Sequence, residues 1–320
     1  GKPDKQIIIA RRNAYHGSTV GAGSLSGMPW LHAQAGMPIP NILHIEQPYW
    51  FGLGGDLDPA EFGRQVARQL ATTIEEVGVD KVAAFIAEPV QGAGGAVIPP
   101  ATYWPEIQKI CDEYGILLIA DEVITGFGRL GQWFGSQHYG IRPDLMPFAK
   151  GVTSGYQPLG GVMLNDKVAD VLVARGGEFF HGFTYSGHPV ACAVARAVLQ
   201  VMRKEKLVEH VRDAVAPAFG SRLQKLNDHP LVGEVRTAGL IGGIELVPRK
   251  SSRQRFAKDL KAGERCRDFC IEEGLVMRAV GDTMIVAPPF VTTNAQLDEL
   301  VDKAWKALDR TQRVLGKSRT

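Results

Sequence analysis

The sequence predicts an α/β protein with a mainly parallel central sheet, helices on both faces and a smaller C-terminal α+β unit. Three observations carry this. Short apolar runs without alternation recur through the first two thirds of the chain, as in strands covered on both faces. Helical patterns separate them, and strand–helix–strand alternation implies parallel pairing. In the last third, long helical patterns dominate and strand runs are few.

The strand candidates of the first part are residues 6–10, 82–87, 116–120 and 160–164, all read as parallel. Asp58-Pro59-Ala60-Glu61 opens the clearest helix. Asp58 can cap free N–H groups, and the fixed φ of Pro59 suits the first helical position. Gly78 is its expected stop, and a second helix over 103–114 stops at Gly115. A helix over 189–206 bridges into the last third. There, helical patterns cover 207–227 and 254–273, and strand candidates cover 240–247 and 284–287. Thr293-Asn294-Ala295-Gln296 reads as a capping box. The helix it opens carries Leu297, Leu300, Val301, Ala304 and Leu308 on one face. The expected division is 1–198 for the large domain and 199–320 for the small one.

The composition excludes several classes. The chain has 320 residues, with 36 Lys+Arg against 34 Asp+Glu and a net charge of +2. A nucleic-acid or membrane-surface role would show a basic excess. The hydrophobic share of 45% supports a large core rather than disorder. Apolar runs such as 116–120 fall far short of the roughly 18 residues that span a bilayer. No signal-peptide pattern is present, and the four cysteines include no Cys-x-x-Cys. The expectation is a cytoplasmic protein with reduced thiols and no metal, Cys266 and Cys270 being buried neighbours on a helix. The chain opens Gly1-Lys2-Pro3-Asp4-Lys5 and enters a strand run at once, which suggests a piece of something longer.

Two charged residues end apolar runs. Asp121 follows 116–120, and ligands in open α/β sheets sit at the carboxyl ends of strands. The alternative is a helix cap or surface turn. Lys150 follows Leu145-Met146-Pro147-Phe148-Ala149 and precedes Gly151. Burial would lower its pKa and free its lone pair for attack on a carbonyl. The alternative is a surface lysine whose stem alone is covered. An acid and an amine so placed suit pyridoxal phosphate, which needs a lysine for its Schiff base and an acid against its pyridine nitrogen. The Gly cluster at 21–27 misses dinucleotide spacing by one residue. The cluster at 92–95 either brings backbone near a ligand or is a simple loop. Gly-x-Ser-x-Gly is absent, which argues against an α/β-hydrolase.

Ala87-Glu88-Pro89-Val90-Gln91-Gly92, Ala120-Asp121-Glu122-Val123-Ile124-Thr125-Gly126-Phe127-Gly128-Arg129 and Ala149-Lys150-Gly151 resemble the class III pyridoxal-phosphate-dependent aminotransferases. So do His181-Gly182-Phe183-Thr184-Tyr185-Ser186-Gly187 and Gly274-Leu275-Val276-Met277-Arg278. The motifs keep the family's order, and the resemblance covers all 320 residues. Gln47-Pro48-Tyr49-Trp50-Phe51-Gly52 and Arg278-Ala279-Val280-Gly281-Asp282-Thr283 look closest to the putrescine/polyamine–pyruvate ω-aminotransferases.

The resemblance implies a fold-type I transferase and these roles. Lys150 carries the cofactor and moves protons, and Asp121 pairs with the pyridine nitrogen. Val123 packs on one ring face and Tyr15 stacks on the other, also bordering the substrate. His16 and Glu88 belong to the cofactor site, Glu88 from behind Asp121. Thr184, with the Phe183 backbone, reaches the cofactor phosphate of a partner subunit, so a homodimer is implied. Arg278 resembles a movable arginine that receives a keto acid's carboxylate.

The implied reaction moves an amino group from an ω-amine, such as putrescine or another polyamine, to pyruvate, giving an aminoaldehyde and alanine. The alternatives are a β-alanine or taurine aminotransferase, an aminomutase on the same scaffold, or an inactive truncated dimeric fragment. Three departures stand out. Ala93 replaces a Glu of glutamate-using relatives, and Ile124 replaces a Gln; both suit the pyruvate-using branch. The family's N-terminal part, with its Gly-Ser phosphate-binding turn, is not found in this sequence.

Overall fold

The computed structural model of the protein describes residues 2–34 and 36–317. Six strands form the larger sheet: β1 (Ile7–Arg11), β2 (Ile42–Ile45), β3 (Val82–Ala87), β4 (Leu117–Ala120), β5 (Leu145–Phe148) and β6 (Gly161–Leu164). Their order is β2-β1-β3-β4-β5-β6. All neighbours pair in parallel except β5 and β6, which are antiparallel.

The run at 160–164 is therefore a strand, but not a parallel one. The link from β5 carries only the 3₁₀ turn Lys150–Thr153, with no crossover helix to return the chain to its starting edge. β6 lies on the edge and alternates, with Val162 and Leu164 facing out. β2 and β5 escape the sequence reading. β2 is four residues long and includes His44; β5 contains Pro147, which ordinarily argues against a sheet interior.

Helix packing on this sheet follows the expected caps. Asp58 Oδ1 accepts hydrogen bonds from the N–H groups of Ala60 (2.9 Å) and Glu61 (3.1 Å), opening helix Pro59–Val77. Gly78 and Gly115 end the two helices at positive φ, 100° and 58°. Phe62, Val66, Leu70 and Ile74 join Trp104, Ile107 and Cys111 against Ile9, Phe85 and Leu118 in one core.

The second sheet is antiparallel, with order β7-β8-β10-β9: β7 (Val232–Ala238), β8 (Ile241–Leu246), β9 (Arg278–Val280) and β10 (Thr283–Val286). β7 and β9 lie outside the expected strand runs, β7 because charged residues interrupt it and β9 because it is only three residues long. Phe219, Leu223, Cys266, Cys270, Leu297, Val301 and Leu308 cover this sheet in a second core. The helix expected over 254–273 begins only at Ala262. Before it, the Phe256 N–H donates to Asp282 Oδ2 (3.1 Å), which ties that segment to the β9–β10 turn. Thr293 and Gln296 form the expected reciprocal cap, at 2.9 and 3.3 Å. Among the described residues the four thiols are free, no group of His, Cys, Asp and Glu could hold a metal, and no helix is long and apolar enough to cross a membrane.

Candidate active site

The carboxyl ends of β1, β3, β4 and β5 deliver the charged residues to one edge of the larger sheet. Ala87 and Ala120 are register partners, so Glu88 and Asp121 leave the sheet side by side. The Asp121 N–H donates to the Ala87 carbonyl (2.9 Å). Its carboxylate is almost closed to water. Oδ1 accepts the Val123 N–H (3.0 Å), and Oδ2 lies 2.7 Å from His16 Nδ1. The His16 ring is buried too, and its Nε2 has no hydrogen-bond partner among the described residues.

Glu88 holds the chain leading to that histidine. Its Oε1 accepts the Tyr15 N–H (2.7 Å) and its Oε2 the Gly92 N–H (3.1 Å). The next amide, His16 N–H, donates to Ser26 Oγ (2.7 Å). The Tyr15 ring packs on Met28, Leu31 and Ala93. Burial raises the Glu88 pKa; His16 and Arg11 pull it back, and Asp121 adds to the rise.

Lys150 follows β5 in the left-handed region, at φ 45°. A side chain in that conformation costs of order 1–3 kcal/mol and persists only because the surrounding structure holds it. Gly151 cannot carry a side chain without crowding, since a Cβ there would lie 3.1 Å from Phe127 Cβ. In the single chain Lys150 is more than a third exposed, which favours neither a deep core position nor a fully solvated one. Desolvation still lowers the pKa of its amine, against the opposing pull of Asp121 and Glu88.

Glu122 is the part of this edge that sequence reasoning missed. It is fully buried and bonds to a different set of partners from Asp121. Its carboxylate accepts from Thr125 Oγ1 (2.5 Å), the Gly135 N–H (2.8 Å), the Ser136 N–H (2.6 Å) and Ser136 Oγ (2.6 Å). Its own N–H donates to the Pro147 carbonyl (2.9 Å), three residues before Lys150. Its place beside Asp121 in the motif was the only signal.

The two departures from glutamate-using relatives flank one contact. A Cβ on Gly92 would lie 2.5 Å from Ile124 Cδ1, so the loop after Glu88 packs directly on Ile124, with Ala93 next in chain. Val123 is half-buried beside Asp121. Arg278, at the start of β9, is exposed, and its side chain has no hydrogen bond or ion pair with another described residue. Phe183 and Thr184 lie in an exposed stretch and are not brought to Lys150 within the chain; the Phe183 N–H donates to Ser186 Oγ (3.0 Å).

The aminotransferase class-III family model matches residues 1–308. The chain belongs to the class III aminotransferases. This aminotransferase is 57% identical to the putrescine–pyruvate aminotransferase of Pseudomonas aeruginosa over 97% of its own length and 68% of the relative's. It is 43% identical to gamma aminobutyrate transaminase 3 of Solanum lycopersicum, covering 98% of its own length and 61% of the relative's. A solved (S)-enantioselective omega-transaminase from Thermomicrobium roseum superposes with a TM-score of 0.92 at 43% identity, over 97% of this chain and 69% of that one.

The aminotransferase family works with pyridoxal 5′-phosphate. The donor set on this sheet edge fits that group. A carboxylate nearly closed to water suits the ring nitrogen, and an amine of lowered pKa suits the aldehyde.

Proposed function

We propose that this aminotransferase moves an amino group from an ω-amine, putrescine or another polyamine, to pyruvate, giving an aminoaldehyde and alanine. The observation that carries the chemistry is the placement of the His16-held Asp121 and of Lys150, on which its charge acts, at adjoining strand ends. The choice of donor and acceptor is supported by the identity to the Pseudomonas aeruginosa enzyme and by Ala93 and Ile124.

Pyridoxal 5′-phosphate, when bound, supplies an aldehyde and an electron-withdrawing ring. Lys150 Nζ would hold it and, when free, would accept and return the substrate's proton; a lowered pKa suits both tasks. Asp121 offers a carboxylate oxygen to the ring nitrogen, with His16 and the Val123 N–H fixing its plane. Val123 and Tyr15 would hold the ring, Tyr15 also bordering the substrate, while Glu88 sets Tyr15 from behind. Arg278, free of local ion pairs, presents a planar fork to the keto acid's carboxylate.

Within this proposal the enzyme is a cytoplasmic homodimer, and Thr184 with the Phe183 backbone serves the partner's cofactor phosphate. Exposed apolar side chains support a covered face: Phe179, Phe180, Phe183 and Tyr185 on one stretch, and Val162 and Leu164 on the β6 edge. Two hydrophobic cores, one drawn from residues 9–141 and one from residues 211–315, support the division into 1–198 and 199–320, while smaller clusters such as Phe127, Val152, Met202 and Val208 cross it. A second reading, 4-aminobutyrate as donor, is favoured by the 43% identity to the tomato enzyme.

The test is a donor panel with pyruvate, following alanine, on the wild type and on Lys150→Ala. Alanine formation from putrescine by the wild type alone supports the reading. Turnover by Lys150→Ala with cofactor bound would sink the Lys150 assignment, and 4-aminobutyrate outperforming putrescine would sink the donor.

A further inference from the structure

Arg11 ends β1 as Asp121 follows β4, and it is completely buried. Its Nη2 donates to the Glu88 carbonyl at 2.6 Å. Nε and Nη1 have no hydrogen-bond partner among the described residues. The guanidinium carbon sits 5.7 Å from the ring centres of both Tyr103 and Trp104. The Tyr103 hydroxyl is near enough to feel the charge, yet makes no hydrogen bond of normal geometry. A fully buried arginine without a bonded carboxylate is costly and calls for an explanation.

The surroundings of Glu88 supply one. Four charged or titratable groups act on its carboxylate: Arg11 from β1, His16 from the loop after β1, Asp121 from the end of β4 and Lys150 from the end of β5. Asp121 opposes ionisation. His16 is committed to Asp121 and carries charge only when protonated. The Lys150 amine is the reactive group and keeps no constant charge. Arg11 is the one permanent cation of the set. Both Glu88 oxygens are needed as acceptors, for the Tyr15 and Gly92 N–H groups. A protonated Glu88 would turn one of them into a donor and release an amide.

We propose that Arg11 is a positioning residue for the reaction, its buried fixed charge securing the Glu88 carboxylate that latches the Tyr15-His16 segment against Asp121. The inference rests on the assignment of Asp121 and Lys150 to the cofactor site. Burial drives the Glu88 pKa upward and Arg11 opposes that rise, so loss of Arg11 lets Glu88 keep its proton to higher pH.

The test is amide hydrogen exchange at Tyr15 and Gly92 followed as a function of pH. It uses the wild type, Arg11→Met, Glu88→Gln and the double variant. The expected result for Arg11→Met is protection at both amides lowered about tenfold or more, falling further as the pH drops, while wild-type protection stays flat. Arg11→Met should add little on the Glu88→Gln background, and its kcat should fall more than its KM changes. Unchanged, pH-flat protection in Arg11→Met, or losses that simply add in the double variant, overturns the proposal. If Arg11→Met does not fold, Arg11→Lys decides. It keeps the charge, so flat protection supports the proposal and pH-dependent loss overturns it. Exchange needs neither cofactor nor turnover, so an inactive protein with a charge-dependent latch sinks the proposed function while leaving the Arg11–Glu88 coupling itself intact.

Discussion

His16 Nδ1 lies 2.7 Å from Asp121 Oδ2, and both side chains are shut away from water. A hydrogen bond with an ionised partner in such surroundings is stronger than a neutral one. His16→Leu removes it while keeping bulk in the site. We expect pyridoxal-phosphate affinity to fall about tenfold or more, read by absorbance titration of the bound cofactor. An unchanged Kd would mean that the Val123 N–H alone fixes Asp121.

Glu122 fixes a second layer of the same edge through four accepted hydrogen bonds. Glu122→Ala leaves buried donors unpaired and should cost about 3 kcal/mol or more. Glu122→Gln should be nearly as damaging, because its NH₂ would face a donor. Thermal unfolding checks both, and a mild Gln variant would contradict this account.

Arg236 ties β7 to the loop after β3. It donates to the carbonyls of Gly95 (2.6 Å) and Ala96 (2.7 Å) and pairs at 2.7 Å with the buried Glu245. Arg236→Met takes away the nearest cation of that carboxylate, leaving Arg255 at 3.6 Å and the Thr283 hydroxyl at 2.9 Å on its other oxygen, and should lower stability by about 3 kcal/mol. Arg236→Met combined with Glu245→Met should be milder than the single change, as denaturant unfolding would show.

His229 gives a pH dependence with a defined sign. Its Nδ1 accepts the Leu231 N–H (3.1 Å), so the proton sits on Nε2, facing Asp309 Oδ1 at 3.3 Å. Burial lowers its pKa, and Asp309 only partly offsets this. The folded state thus binds the proton less readily than the unfolded state. The His229 contribution to stability is present above the unfolded value of about 6.5 and is lost as the pH falls through the lower folded value. His229→Gln should flatten that part of the stability–pH curve, and an NMR titration should place the His229 midpoint below that of a free imidazole.

Asp121 and Lys150 were legible because a charge ending an apolar run is visible in one dimension. Arg11 closes Ile7-Ile8-Ile9-Ala10 in the same way, so the same reading would have found it. The role of Glu122 was not legible, since its partner Ser136 lies 14 residues away and reaches it only through the fold. β5 hid behind Pro147, whose missing N–H is tolerated while its carbonyl takes the Glu122 amide. β6 was visible as a strand, but its direction depends on a connection that local pattern does not encode. Caps at Asp58 and Thr293 were legible because they are purely local.

The site is built from long reaches of chain. Tyr15 meets Glu88 across 73 residues, Arg11 meets Glu88 across 77, and His16 meets Asp121 across 105. Contacts of such separation form only after distant strands have found one another, and closing those loops is the slow part of folding. Chemistry therefore appears all at once, late, when β1, β3, β4 and β5 have aligned. Recovery of cofactor binding after denaturation should lag behind recovery of helix signal, and a partly refolded molecule is chemically silent.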